Sequence, residues 1–285
     1  LTLSANAVAR NIHIRHYVQQ GVRILGASTL ESCLIEHVWH QGVAGNWNAA
    51  GAVVQDNTIR DILNVGINWN ENPAGPGGTV IRGNTLLRCG TVPGLGGSGA
   101  WHAAGVIISN APRGDNGVRF EYNRIDGTGY AGIILGADGQ TVARNVFQDC
   151  MSTLNDGAAI YANANFNHIE ENIIIDVEGD LDSSHPWTPL GAGIWIEFLE
   201  NFRESEVIGN TVYGCGGDGL FLPNNFDCVI RENTFLSNLR AGVTLGGHEN
   251  GRSDGRPDQN HTLTDNVLGI GAVPWAPTEP RTLAP

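Results

Sequence analysis

Residues 155–161 read Asn155-Asp-Gly-Ala-Ala-Ile-Tyr161, residues 193–197 read Gly193-Ile-Trp-Ile-Glu197, and residues 219–222 read Gly219-Leu-Phe-Leu222. Between them lie Asn172-Ile-Ile and Asn210-Thr-Val, and after them Asn233-Thr-Phe. Each is short, apolar and alternating, which predicts a strand rather than a helix. Working outward, the asparagine series also takes in Asn57, Asn84, Asn123, Asn145 and Asn266, at intervals of 27, 39, 22, 27, 38, 23 and 33 residues. Upstream, Arg15-His-Tyr and Glu36-His-Val are expected to carry the same register. The glycine series runs through Gly21, Gly42, Gly66, Gly105, Gly132, Gly157, Gly193, Gly219 and Gly242. A shortest period of 21 to 23 residues with two or three short strands per turn predicts an all-β fold. The architecture is a right-handed single-stranded parallel β-helix, a solenoid of about ten coils over residues 1–270. At roughly 4.8 Å per coil the rod is about 48 Å long. The proline-rich tail 271–285 is expected to pack on the outside.

Competing repeats do not fit. Leucine-rich repeats need an L-x-x-L-x-L frame, and ankyrin or tetratricopeptide repeats need helical periodicity; both are missing. Asparagine tolerates left-handed bends and can hydrogen-bond along stacked turns, while glycine suits sharp bends. Cys89, Cys150 and Cys215 each fall five residues after a ladder asparagine. They predict an inward column of free, inert thiols.

The composition narrows the function. The chain of 285 residues carries 16 basic residues, all arginine, against 29 acidic ones, for a net charge of −13. Such a surface repels nucleic acid and anionic membranes, so neither is expected as a partner. Apolar runs are too short for a bilayer-spanning helix. Five cysteines without CxxC spacing make neither a disulfide framework nor a zinc site. Secretion or a periplasmic location is expected, with any leader removed. The first coil, Val8-Ala-Arg-Asn-Ile, has nothing amphipathic to cover it, so a further N-terminal segment or another chain is expected to cap it.

Departures from the repeat mark the site. Extra residues fall at Thr91–His102, Glu178–Leu190 and Asp149–Asn155, all between an asparagine strand and a glycine strand. Stacked at one angular position, they would wall a groove. Aligning the glycines places Ile160, Ile194, Ile196, Leu220, Leu222, Val243 and Leu245 inward. It places Tyr161, level with Glu197, and Trp195, level with Phe221, outward as a platform for sugar rings. The alternative is that the wall packs over these aromatics as a second core. Asp156 and Asp218, each before a glycine two coils apart, would stand roughly 9.6 Å from each other with Glu197 on the rung between. Paired carboxylates are the apparatus of glycoside hydrolysis, and this separation leans towards inversion. As turn residues, the two aspartates would only cap backbone N–H groups. Trp101 and His102 in the first insertion, and His185 and Trp187 in the second, would line the groove. No cofactor is required by this chemistry. Asp176, Glu178, Asp180 and Asp182 alternate along a loop whose oxygen donors would suit calcium, although the leading explanation is a solvated acidic loop. His13/His16 and His37/His40 repeat a spacing, but nothing carboxylate-rich completes a metal site there.

Residues 155–236 resemble bacterial parallel-β-helix-repeat proteins of the pectate-lyase-like superfamily, in many of which D-G-G-G-I-Y is followed by G-I-Y-L-D-[DE]. Asp156, Tyr161 and Glu197 match that pattern, and Glu200 falls beside its second acidic position. The resemblance implies the fold and a carbohydrate-active protein, in a superfamily of hydrolases, lyases, epimerases, fructotransferases and structural spikes. The leading expectation is a glycoside hydrolase on a poly- or oligosaccharide, with Asp156, Asp218 and Glu197 catalytic. A polysaccharide lyase or uronate epimerase is the second. The superfamily's lyases use Lys or Arg as base, whereas lysine is absent here and Arg203 and Arg240 lie in turns. A non-catalytic glycan-binding or structural module is the third.

Overall fold

A computed structural model describes residues 1–96, 101–180, 191–197, 204–223, 225, 227–245 and 260–269. Among them, thirty strands form three parallel sheets of ten. The chain visits the sheets in turn, so every coil contributes one strand to each. The first sheet runs from Thr2–Leu3 to Val243–Leu245, the second from Val8–Arg10 to Thr262–Thr264, and the third from His13–Arg15 to Val267–Gly269. This is the expected right-handed parallel β-helix.

The asparagines form a continuous ladder between the second and third sheets. From Asn57 to Asn266, each side-chain amide donates to the next asparagine's Oδ1 at 2.9–3.0 Å. Each backbone N–H in the ladder donates to that same oxygen. The left-handed bend falls one residue earlier than expected: Asp56, Tyr122, Arg144, Glu171 and Glu232 have φ between 52° and 59°. The asparagine supplies the hydrogen bonds, and its predecessor makes the turn. Upstream the position is Cys33, whose N–H donates to Asn57 Oδ1 at 2.9 Å. Leu34 pairs with Thr58, so Glu36 does not take the asparagine's place, nor does Arg15 one coil earlier.

The glycine column has a different cause from the one expected. A Cβ on Gly42, Gly66 or Gly105 would lie 2.6 Å from the carbonyl oxygen of the next coil. These positions are glycine because backbone approaches backbone there. Ile160 pairs with Ile194, and Ile194 with Leu220, so the residue in line with Gly193 and Gly219 is Ala159 rather than Gly157. The glycine-based alignment of that coil is therefore two residues out. Two residues are one full pleat, so faces are preserved while levels shift.

Inward positions Ile160, Ile194, Ile196, Leu220 and Leu222 are buried, as expected. Val243 is only partly buried and Leu245 is 41% exposed, because theirs is the last strand of the first sheet among the described residues. All five cysteines are free and buried. Burial pushes the Cys89 and Cys150 thiols up to about 12, and that of Cys215 up as well.

Candidate active site

The outer face of the first sheet opens on exposed polar residues, Thr2 and Arg23, paired across its first two strands. The same column continues through Ile107 and Ile134 to Tyr161, Trp195, Phe221 and Thr244. Tyr161 is thus level with Trp195, not with Glu197, which corrects the expected register. The three aromatics face outward but form no exposed platform. Tyr161, Trp195 and Phe221 are 8%, 2% and 5% exposed, so the strands here are covered on both faces.

The rings make a ladder along the helix axis. His102 lies nearly parallel to Tyr130 at 6.3 Å, and Tyr130 meets Tyr161 edge-on at 6.2 Å. Trp195 follows at 5.4 Å from Tyr161, and Phe221 at 4.9 Å from Trp195. Trp101 packs against Gly136, where a Cβ would lie 2.4 Å from its ring, and remains 43% exposed. Of the expected wall of insertions, residues 97–100 and 181–190 lie outside the described residues, and one contact joins insertions among those described. Asn155 binds Asp180 through both its amide and its carbonyl, joining consecutive corners. His185 and Trp187 lie outside the described residues, as do Asp182, Glu200 and the tail 271–285.

The chemistry-bearing groups gather at one end of this ladder. The Tyr161 hydroxyl donates to Glu197 Oε2 from the next coil. Glu197 follows strand Ala192–Ile196 and is half-buried. The Tyr130 hydroxyl donates to the backbone oxygen of Asp156 at 2.6 Å. Asp156 is exposed in a left-handed turn, φ 65°, so its carboxylate is open to solvent. Burial chiefly, then the negative charges of Asp156 and Glu197, push the Tyr130 phenol well above its ordinary value. Burial, Glu197, Tyr130 and Asp156 do the same to Tyr161. Two carboxylates thus flank two phenols that keep their protons. Burial lowers His102 and favours its neutral ring, whose Nδ1 is buried without a hydrogen-bond partner. The Trp195 indole N–H is likewise buried and unpartnered. Buried polar atoms without partners are costly, about 1–3 kcal/mol each.

Asp218 does not join this cluster. In the true register it stands level with Ala192 and Ala158, two residues along from Asp156, so the expected face-to-face aspartate pair does not form. Its Oδ1 accepts from Thr244 at 2.9 Å, and its Oδ2 lies 3.3 Å from Arg240, whose guanidinium sits over Phe221. Burial raises its carboxyl, with Arg240 and Thr244 opposing. Tyr130 was missed because it stands at the corner, in Gly129-Tyr-Ala-Gly132, ahead of any strand alternation. An aromatic between two turn glycines was the available signal.

Two groups of described residues bring metal-binding atoms within 4.8 Å of one another: Glu36, His37 and Asp61, and His168, Glu170 and Glu206. Carboxylates therefore do reach the histidine patch, contrary to expectation, but arginines hold them. Glu36 bonds Arg60 and His13, and Asp61 bonds Arg88 through both oxygens. On the second sheet, His168 Nδ1 lies 3.0 Å from Glu206 and 4.0 Å from Glu170. None of the acidic-loop residues Asp176, Glu178 and Asp180 belongs to either group.

A family model described as "Periplasmic copper-binding protein (NosD)" matches residues 102–269. No curated protein sequence matches the chain. Among solved structures, an alginate lyase from Paenibacillus sp. str. FPU-7 superposes with a TM-score of 0.51 at 12% identity, covering 94% of this chain and 87% of that one. A mannuronic acid specific polysaccharide family 6 lyase from human gut microbiota gives 0.49 at 13%, covering 94% and 76%. A DFA-IIIase from Arthrobacter chlorophenolicus A6 gives 0.43 at 14%, covering 90% and 59%. At these identities the likeness is one of fold.

Proposed function

The chain belongs to the NosD family, and on the chemistry of its outer-face cluster we propose that it is a carbohydrate-active enzyme, a glycoside hydrolase acting on a poly- or oligosaccharide. One observation carries this reading: the Tyr161 hydroxyl donates to the Glu197 carboxylate and the Tyr130 hydroxyl to the backbone oxygen of Asp156, so the two edge-packed phenols bring two acidic residues from different coils to one place. Glycoside hydrolysis needs two carboxyl groups, one serving the glycosidic oxygen and one serving water or the anomeric carbon. Glu197, oriented by Tyr161, serves the glycosidic oxygen. Asp156, open to solvent, serves the incoming water. The exposed ring of Trp101 supports the sugar face in place of the covered Trp195 and Phe221. Asp218 positions Arg240 and takes no part in the proton transfers.

A second reading, elimination from or epimerisation of a uronate, is favoured by the neutral His102 stacked on Tyr130. An imidazole that abstracts a proton beside a phenol that donates one is the required pair. Incubating the protein and its Glu197→Gln variant with a glycan panel separates the readings. New reducing ends without the ultraviolet absorbance of an unsaturated uronate mean hydrolysis. Both signals together mean elimination. Binding without either leaves a non-catalytic module and overturns the enzyme.

The family description is of a periplasmic protein, in keeping with the export expected from the sequence. Among the described residues no helix is long and apolar enough to cross a membrane. That description also names copper. Copper(II) accepts imidazole and carboxylate donors, and His168, Glu170 and Glu206 supply that set within the matched stretch, with no arginine side chain paired to their carboxylates among the described residues. Those three residues would hold the ion, on a different sheet from the Tyr161–Glu197 cluster. Bound there, it would supply Lewis-acid character to ligands at the second sheet.

A further inference from the structure

The exposed aromatic surface that Tyr161, Trp195 and Phe221 do not provide is present on the early coils. Tyr17 and Trp39 are 49% and 54% exposed and stand on successive coils, with the Trp39 N–H donating to the Tyr17 carbonyl at 2.9 Å. Together with His16, His37, Asp61 and Arg88 they line a cavity of about 600 Å³. His16 and His37 meet across successive coils with their rings tilted by 49° and centroids 5.4 Å apart. Asp61 and Arg88 form a two-pronged ion pair, 2.7 and 3.0 Å, that presents both acceptors and donors. Exposed rings at the rim of a concave surface, beside fixed hydrogen-bonding groups, suit a ligand with apolar faces and equatorial hydroxyls. In a protein of net charge −13 this lining is balanced, with Asp61 set against Arg88, so it imposes little repulsion on either a neutral or an acidic glycan.

The cavity also shares a chain segment with the candidate active site. Thr91 and Val92 form one wall of it, and they open the insertion that ends at Trp101 and His102. The cavity lies where the third sheet turns into the first, on coils one to four, and His102, Tyr130 and Asp156 stand along that same corner further on in the chain, with Tyr130 bringing the corner to the Tyr161 ring on the adjoining first sheet. Resting on the proposed glycan reaction, the geometry points to this cavity as the binding site for the distal part of an oligosaccharide whose reacting bond lies at Tyr161 and Glu197. The sugar chain runs along the helix axis past the Thr91–His102 insertion, stacking on Tyr17 and Trp39.

The test measures dissociation constants for short and long oligomers of xylan, mannan, inulin, pectin and alginate in the Glu197→Gln background. The substitutions Tyr17→Ala and Trp39→Ala remove exposed rings, and Tyr213→Ala removes an exposed ring on the third sheet as a control. The double variant Tyr17→Ala/Trp39→Ala should weaken binding of long oligomers about tenfold or more, while Tyr213→Ala changes nothing. Circular dichroism confirms that each variant is folded. Unchanged affinity in the double variant overturns the cavity assignment and leaves the reaction centre standing. A tenfold loss in a protein that cleaves no glycan supports the cavity and overturns the enzyme. If the unsubstituted protein binds no oligomer on the panel, both fall.

Discussion

Tyr161 and Glu197, 36 residues apart in sequence, are brought together by the coil repeat so that the phenol donates to the carboxylate. Tyr161 also sits inside the aromatic ladder, so its ring is fixed by packing and its hydroxyl is aimed. Glu197→Gln should lower kcat by about 10²–10⁴ without unfolding the protein, because Glu197 is at the edge of the ladder. Tyr161→Phe keeps the ring and loses only the donor, so a smaller fall in kcat with an unchanged melting temperature is expected. Steady-state kinetics with a cleaved glycan and a thermal melt decide it. Full activity in both variants would remove this pair from the reaction.

Asp218 offers a test of the corrected register. Its carboxyl is raised by burial, so ionisation costs more in the folded chain than in the unfolded one. That penalty is present at neutral pH and disappears as the pH falls through the raised value. Asp218→Asn should therefore melt at a higher temperature at pH 7, with the advantage shrinking on acidification. Arg240 is 46% exposed in its side chain and rehydrates when its partner is lost. Turnover should persist. An Asn variant that is inactive but stable would restore Asp218 to the reaction.

Glu36 should behave in the opposite sense. Arg60 and His13 hold its carboxyl at about 2 instead of 4.5. A depressed carboxylate stabilises the fold above its unfolded value, and that contribution is lost as the pH falls from 4.5 towards 2. Glu36→Gln should accordingly lower the melting temperature at neutral pH, with the gap to the unsubstituted protein closing across that window. A gap that widens on acidification would contradict the assignment.

The asparagine ladder predicts where the solenoid is most sensitive. Asn145 donates to Phe120 O, Ala143 O and Asn172 Oδ1, and its own Oδ1 accepts twice from Asn123. Asn145→Ala leaves several buried partners unmet and should cost roughly 2–5 kcal/mol. Chemical denaturation would measure this. A cost below that of Asn266→Ala, at the last rung, would show that the ladder is not what holds the corner.

Thiol labelling checks the interior column. Burial keeps Cys89 and Cys150 protonated, near 12, so native protein should react with an aromatic disulfide reagent only as fast as it unfolds. Rapid native labelling of either residue would place it outside the coil.

The sequence by itself determined the coil. A repeat whose shortest period is about 22 residues, with one asparagine and one glycine per turn, leaves a parallel β-helix as the architecture that uses both. Strand alternation also placed Tyr161, Trp195 and Phe221 on the outer face, because parity survives an alignment error of two residues. Levels were another matter. They depend on which residue meets the next coil's carbonyl at the tight approach, and one coil uses Ala159 where its neighbours use glycine. That substitution separated Asp156 from Asp218 and set Tyr161 beside Trp195. Exposure was equally out of reach, since whether an outward ring meets solvent depends on what packs over it, not on its own strand. Tyr130, Tyr17 and Trp39 stand at corners, where no alternation applies and only the stacking of coils brings side chains distant in sequence to one place.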